Sequence, residues 1–283
     1  MEVPATRSVR PVRAFFAAFL GLGGGYLYVS EPGLATATVG GSFLIWALVA
    51  WTRLLVHSAA ALWGSVTLLL LVSLVSWIHP VVIAWRRPQL PRKPYNRWWF
   101  YLLWFSACTA GGYEFTSHRA HLLGYEPFRV PTVSMSPTIE RNDFIMADTW
   151  AYRGHAPQFG EIAVFEVPDR PGVKFVKRVV GLPGDQVELR DSVLYRNGVA
   201  VPEPYLHAAL PSAGYGRNFG PVSIGQDEVF FLGDFRDNSL DSREWGAVPV
   251  DHLHGRVQFL WFSLDGSTVR WDRIGISLRP RPD

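Results

Sequence analysis

The sequence predicts a membrane-embedded helical region followed by a mainly β domain, with the boundary near residue 117. Three observations lead there. Of 283 residues, 48% are hydrophobic and 18% charged, with a mean hydropathy of +0.10, too apolar for an ordinary soluble chain of this size. The charge is divided: residues 1–115 carry 9 Lys and Arg against 3 Asp and Glu, the rest 18 against 21, so the net +3 is +6 and then −3. After Tyr113 the long apolar runs give way to short alternating ones. A basic total invites nucleic acid as a partner, but the excess lies beside the apolar runs. A positive-inside bias explains it, and nucleic-acid binding is set aside.

Four stretches lack Asp, Glu, Lys and Arg: residues 14–30, 32–52, 54–85 and 98–113. A helix needs about 20 residues to span a bilayer, and at least about 17. The second and third stretches are long enough. The fourth is short but bounded by Arg97 and Glu114, which can reach the interface, and it is read as a last transmembrane helix over residues 98–117. The first is interrupted by Gly21, Gly23, Gly24 and Gly25 and is the weakest. Eight of the twelve tryptophans lie in residues 46–104, several near segment ends, as anchors in an interfacial belt.

Arg86, Arg87, Arg92, Lys93 and Arg97 make residues 86–97 a basic cytoplasmic loop, which sends the fourth segment outward and places residues 118–283 outside. Arg7, Arg10 and Arg13 also favour a cytoplasmic N-terminus, and four crossings do not satisfy both. The Gly-interrupted first stretch is therefore expected to be re-entrant or interfacial, leaving three crossings, two in a polytopic region over residues 1–97 and the third in the helix over residues 98–117. Four crossings with an external N-terminus is the alternative. A cleavable signal peptide, suggested by Ala35-Thr36-Ala37, would truncate the next span.

Beyond residue 117, strands are predicted at 144–147, 161–167, 173–180, 186–189, 193–196, 199–201, 228–232 and 257–262, with Asn197-Gly198 as a hairpin turn. Many short strands broken by Gly and Pro indicate an all-β domain.

Within the strand at 173–180, side-chain alternation puts Val173, Phe175, Lys177 and Val179 on one face, so Lys177 is the single polar group there. Burial disfavours the ammonium and would make this lysine a base near neutral pH; an edge-strand lysine snorkelling to water is the simpler reading of the pattern alone. A neutral amine can activate a serine. Ser134 and Ser136 lie in PTVSMSPT, a Pro-bounded loop, and spacing does not choose between them. A third cluster, residues 233–246, packs four carboxylates, two arginines and two serines into fourteen residues, which suits a self-satisfied loop supporting a neighbouring site.

Other chemistries fail. HExxH, Walker and GxSxG patterns are absent, and GLGGG sits in an apolar run rather than after a strand. The pairs His118/His121 and His252/His254 lack a third ligand and are read as surface histidines. The single cysteine, Cys108, permits no internal disulfide.

The three clusters, in this order, resemble the type I signal peptidases, membrane-bound Ser/Lys serine proteases. The matching stretches are EPFRVPTVSMSPT with RNDFIMAD, GEIAVFEVP, VKFVKRVVGLPGD, NGVAVPEPY, FFLGDFRDNSLDSREWG and GRVQFLWFS, which together cover most of residues 126–263. The resemblance implies a signal-peptidase-type β fold for the catalytic domain, with Ser134 as nucleophile and Lys177 as general base. It implies an oxyanion hole from Thr132 and the Ser134 amide, a lysine-orienting Ser239, a supporting Asp241–Arg243 ion pair, and Gly233 and Asp234 at the head of that box. Phe128, Val130, Met135 and Val176 match positions lining shallow pockets that give an Ala-X-Ala preference. Val133 stands where glycine is common, Thr132 where serine is more usual, and Phe235 interrupts the family's GDNRDNS.

The function so implied is removal of signal peptides from exported preproteins at a bacterial cytoplasmic membrane, by a multi-pass protein that needs no metal or organic cofactor; oligomeric state is left open. A specialised peptidase maturing a pilin or transfer protein, and an inactive membrane scaffold, are the alternatives. The later boxes count against the first, and intact Ser134, Lys177 and Ser239 against the second. A self-cleaving repressor shares the dyad but would carry a DNA-binding domain in place of membrane segments.

Overall fold

The computed structural model describes residues 6–206 and 217–280. The chain forms two units, Met1–Leu55 with Ala61–Leu123 and Val56–Ala60 with Gly124–Asp283.

The first unit opens with strand β1 (Thr6–Ser8) and helices α1 (Pro11–Ala18) and α2 (Gly24–Tyr28), continues through α3 (Pro32–Trp51), α4 (Ala59–Arg86) and β2 (Gln89–Pro91), and closes with α5 (Trp98–Ser117) and α6 (Arg119–Leu123). The Gly-interrupted stretch is a tight hairpin. Helices of 8 and 5 residues reach only about 12 and 8 Å, well short of a bilayer's hydrocarbon thickness. Gly23 turns the chain at φ 79°, and Gly25 lets α2 approach α4, since a Cβ there would lie 2.9 Å from the Pro80 ring.

Both ends of this hairpin meet the loop that follows α4. Strand β1 pairs antiparallel with β2, Thr6 opposite Pro91 and Ser8 opposite Gln89. The Arg7 guanidinium donates to the Tyr28 carbonyl, Ser30 Oγ to the Pro91 carbonyl at 3.2 Å, and Asn96 Nδ2 to the Leu27 carbonyl at 2.9 Å.

Among the described residues, α3 and α4 combine the length and apolarity needed to cross a membrane. Helix α5 has the length, but three tryptophans, two tyrosines and several Gly, Ser and Thr residues make it less apolar.

The second unit is a curled antiparallel sheet with a small second sheet. Its strands are β3 (Tyr125–Arg129), β4 (Asp143–Asp148), β5 (Ile162–Glu166), β6 (Lys174–Gly181), β7 (Gln186–Arg190), β8 (Val193–Arg196), β9 (Val199–Ala200), β10 (Phe219–Ser223), β11 (Glu228–Leu232), β12 (Val248–Pro249), β13 (Leu253–Asp265) and β14 (Thr268–Val269), with helix α7 (Ser242–Trp245) after β11. The large sheet runs β12-β11-β6-β5-β13-β4-β3, with β14 beside β13, and the small one runs β10-β7-β8-β9. Val180, Phe230 and Leu232 of the large sheet meet Val187, Leu189 and Leu194 of the small one, and the large sheet packs further apolar clusters of its own. Ile145, Ile162, Val164, Val257 and Leu260 cluster on one side, while Phe165 stacks on Phe231 at 4.0 Å on another. Asn197 and Gly198 both take positive φ, as the two-residue hairpin turn requires.

Every predicted strand is present, but β3, β10, β12 and β14 are additional. Strand β3 contains Pro127 and lies at the sheet's end, where a residue without an N–H is tolerated. Two of the free edges that this order leaves lie at β3 and at the start of β6. Strand β3 has β4 on one side only, and β6 is joined to β11 only from Arg178 onward, so among the described residues the outer edge of 174–177 has no partner strand.

Candidate active site

Strand β6 sets the position of the lysine. Ala163 pairs with Lys177 across the ladder, and the lysine shares its face with Phe175 and Val179, which pack in the apolar cluster around Phe165. Only 4% of Lys177 is exposed. Its Nζ lies 2.7 Å from Ser134 Oγ and donates to the Val176 carbonyl at 3.0 Å. Burial holds this amine down at about 8, against the opposing pull of the Asp241 and Asp234 carboxylates. The expectation of a snorkelling lysine is thus not met, and of the two loop serines it is Ser134 that meets the amine.

Ser134 is itself buried, in a turn that follows β3. The turn is tied to β4 through Val130 N to the Asp143 carbonyl at 2.9 Å and Asn142 N to the Val130 carbonyl at 2.8 Å. On its other side the Phe235 amide donates to the Ser134 carbonyl at 3.1 Å. That contact needs Gly233, where an added Cβ would fall 2.5 Å from the Ser134 carbonyl and 2.1 Å from Ser239 Oγ. Phe235 makes its contact through its backbone, so the unusual side chain costs the loop nothing there. Val133 is absent from the positive-φ residues, so glycine's conformational freedom is not required at that position either.

Thr132 Oγ1 lies 3.4 Å from Ser134 Oγ. The carboxylate of Asp241 forms a two-pronged pair with Arg243, Nε to Oδ1 at 2.8 Å and Nη2 to Oδ2 at 2.9 Å, and accepts from the Gly233 amide at 3.0 Å. Arg243 also reaches the Arg236 carbonyl at 2.6 Å, so one buried ion pair fixes the whole turn of residues 233–243. Ser239 departs from expectation. Its Oγ is buried beside Gly233 with no hydrogen-bond partner among the described residues, and the lysine is oriented instead by Ser134 and the Val176 carbonyl.

Asp234 is engaged by a residue that the sequence reading overlooks. Arg178 donates to it through Nε at 2.9 Å and Nη2 at 2.6 Å, and to the Gly160 carbonyl at 2.9 Å, while Thr138 Oγ1 donates to the same carboxylate at 2.5 Å. The signal was present. Arg178 shares an otherwise largely apolar face with Val176 and Val180, and a buried guanidinium there demands a carboxylate.

Beside Ser134 and Lys177 lies a cleft of about 570 Å³ between the free edges of β3 and β6, lined by Phe128, Val130 and Val176 among others. Met135 does not line it. This side chain is 1% exposed and packs beneath the floor with Val130 and Ile145. His254 is no surface histidine: about a quarter of its side chain is exposed, and its Nε2 pairs with the Glu126 carboxylate.

A sequence profile described as signal peptidase, peptidase S26, matches residues 118–262. The chain belongs to this signal peptidase family. Its relatives include a probable signal peptidase I-1 of Synechocystis sp. (strain ATCC 27184 / PCC 6803 / Kazusa), 35% identical over 157 residues that cover 53% of this chain and 76% of that one. A probable signal peptidase I-2 of the same organism is 41% identical over 133 residues, 45% of this chain and 59% of the relative. The signal peptidase I of Rickettsia typhi (strain ATCC VR-144 / Wilmington) is 32% identical over 208 residues, covering 55% and 78%. A crystal structure of a signal peptidase I from Enterococcus faecalis V583 shares 33% identity and aligns with 36% of this chain and 97% of its own, at a TM-score of 0.32. This signal peptidase family member is therefore an enzyme, a serine peptidase with an apolar, membrane-type N-terminal region. The family match begins at residue 118, so the region before it lies outside the profile.

Proposed function

We propose that this peptidase removes signal peptides from exported preproteins after Ala-X-Ala sites, with Ser134 as nucleophile and Lys177 as general base. The observation that carries the reading is the buried 2.7 Å contact between Lys177 Nζ and Ser134 Oγ at the end of a cleft, with the amine held down at about 8. A neutral Nζ takes the proton from Ser134 Oγ as that oxygen attacks the carbonyl of the residue before the cut. The negative charge that develops falls to the Ser134 amide and the Thr132 hydroxyl, and donors so aimed are commonly the largest catalytic contribution. Lys177 returns its proton to the leaving amine, and water then releases the acyl group.

Two unpaired strand edges facing one cleft suit a substrate bound as an added strand between β3 and β6. Alternate residues of such a strand face the floor of Phe128, Val130 and Val176, on which the reading seats small side chains. Met135 shapes that floor from beneath. Asp241, Arg243, Gly233, Asp234 and Ser239 act as support, holding the serine loop against β6 rather than touching the substrate.

The same reading places the chain in a bacterial cytoplasmic membrane with three crossings, α3, α4 and α5. The pairing of β1 with β2 and the Arg7 and Ser30 contacts bring residues 6–8, 28–30 and 89–91 together, which suits an α1–α2 hairpin that enters and leaves by one face. Residues 86–97 then lie in the cytoplasm and residues 118–283 outside, where a substrate tethered by its own apolar segment meets the site at high effective concentration.

The test is cleavage of a preprotein with an Ala-X-Ala site by the purified full-length chain in detergent. Wild type is expected to cut at that site, and Ser134→Ala and Lys177→Ala each to lose activity by three orders of magnitude or more, roughly what removal of a nucleophile or its base costs. Substantial activity in either variant would overturn the dyad.

A further inference from the structure

The cleft is unevenly charged. Arg129, Arg141 and Lys174 line it in addition to the buried Lys177, and among the described residues no Asp or Glu does. Lys174 is held back from the opening: its Nζ lies 3.1 Å from His254 Nε2, 3.6 Å from the Glu126 carboxylate and 5.2 Å from the centre of the Phe128 ring. Arg129 and Arg141 are different. Both are exposed, and neither forms a salt bridge among the described residues. The Arg129 guanidinium rests on a neutral acceptor, Asn142 Oδ1, at 2.8 and 3.3 Å.

Nearby carboxylates are committed elsewhere. Glu140 pairs with Arg270, and Asp143 with Arg270 and Arg273. Among the described residues, the β3 rim of the cleft therefore carries two cations with no local counter-charge, which matters more in a concave site than on an open surface.

Strand alternation says what these cations face. Phe128 and Val130 point to the floor, so Arg129 between them points to the opposite face. In an extended substrate whose first and third residues before the cut occupy the floor, the middle residue faces outward by the same alternation. On the Ala-X-Ala reading of the preceding subsection, on which this inference rests, we propose that Arg129 and Arg141 form a specificity site for a carboxylate side chain, Asp or Glu, at position X. The planar guanidinium of Arg129 suits two-pronged recognition of such a group, with Arg141 adding charge from the same rim. These are binding residues, remote from the proton transfer, and their effect is expected in KM.

The experiment compares three peptide substrates, Ala-Glu-Ala, Ala-Gln-Ala and Ala-Lys-Ala at the cut site, cleaved by the full-length chain in neutral detergent. The quantity read is the ratio of kcat/KM for Glu over Gln, in which any general loss of fold or activity cancels. Wild type is expected to favour Glu by about fivefold to tenfold, the yield of one or two exposed charge pairs, and to disfavour Lys. The Glu preference should fall towards unity in 0.5 M NaCl and in Arg129→Gln/Arg141→Gln, through KM rather than kcat. Arg129→Lys, which keeps the charge but not the fork, should retain part of it.

Equal cleavage of Glu and Gln peptides by wild type, or a preference that survives in the double variant, would overturn the proposal while leaving the peptidase reading intact. Failure to cut any of the three peptides would take down both. A rim indifferent to X, but whose double variant no longer responds to vesicles containing phosphatidylglycerol that activate wild type, would assign these cations to lipid headgroups instead and also overturn it.

Discussion

The most consequential residue is Lys177, whose amine is costly to keep charged where it sits. Burial lowers it to about 8 while Asp241 and Asp234 pull it upward. Since the neutral amine is the active form, kcat/KM should rise with pH through about 8 and level off above it, as read from a pH–rate profile on a fixed peptide. Replacing Asp234 by Asn removes one carboxylate that favours the ammonium, so the rising limb should move to lower pH. The same change leaves the Arg178 guanidinium buried without its partner, at a cost of about 3–5 kcal/mol in unfolding free energy, measurable by denaturant titration. Phe235→Asn, by contrast, should leave activity within about twofold, because the contact to Ser134 is made by the backbone amide. A large loss there would show that the phenyl ring has a role beyond that amide.

Among elements, the turn between β11 and α7 has the tightest tolerance. Gly233 lies against both the Ser134 carbonyl and Ser239, and a methyl group must displace both of them. Gly233→Ala is expected to lower kcat by at least tenfold with a smaller change in KM, since it shifts the serine and leaves the far end of the cleft alone. Equal kcat for wild type and variant would mean that the loop yields without moving Ser134. Strand β6 was legible from alternation alone, including which face carries Lys177, because period 2 is a local property of the chain. Strand β3 was not legible: it is short, interrupted by Pro127, and owes its extended form to pairing with β4, whose partner residues lie 15 to 23 positions further along.

At the scale of the molecule, the β1–β2 pairing is the feature that bears on membrane topology. In a chain with Cys108 replaced by Ser, single cysteines at Ser8 and Gln89 should share one labelling side and a cysteine at Arg53 should show the other. The Ser8→Cys/Gln89→Cys pair should form a disulfide on mild oxidation. Opposite-side labelling of residues 8 and 89 would restore the four-crossing alternative. Three crossings carry an energetic logic as well: a Gly-rich hairpin of two short helices satisfies much of its backbone within itself and through the Arg7, Asn96 and Trp104 side chains, which a lipid-exposed loop of the same residues would not.

Composition, charge asymmetry and side-chain period determined the division into an apolar helical region and a β domain, most of the strands and the face on which Lys177 lies, since each is fixed by residues within a turn or a strand of one another. The choice of Ser134 over Ser136, the Arg178–Asp234 pair, the unpartnered Ser239 hydroxyl and the cationic rim at Arg129 and Arg141 were decided only by tertiary structure. The first two depend on segments 43 and 56 residues apart that the curled sheet brings within about 3 Å of one another. A distance of that kind is set by packing and register, and no local spacing encodes it.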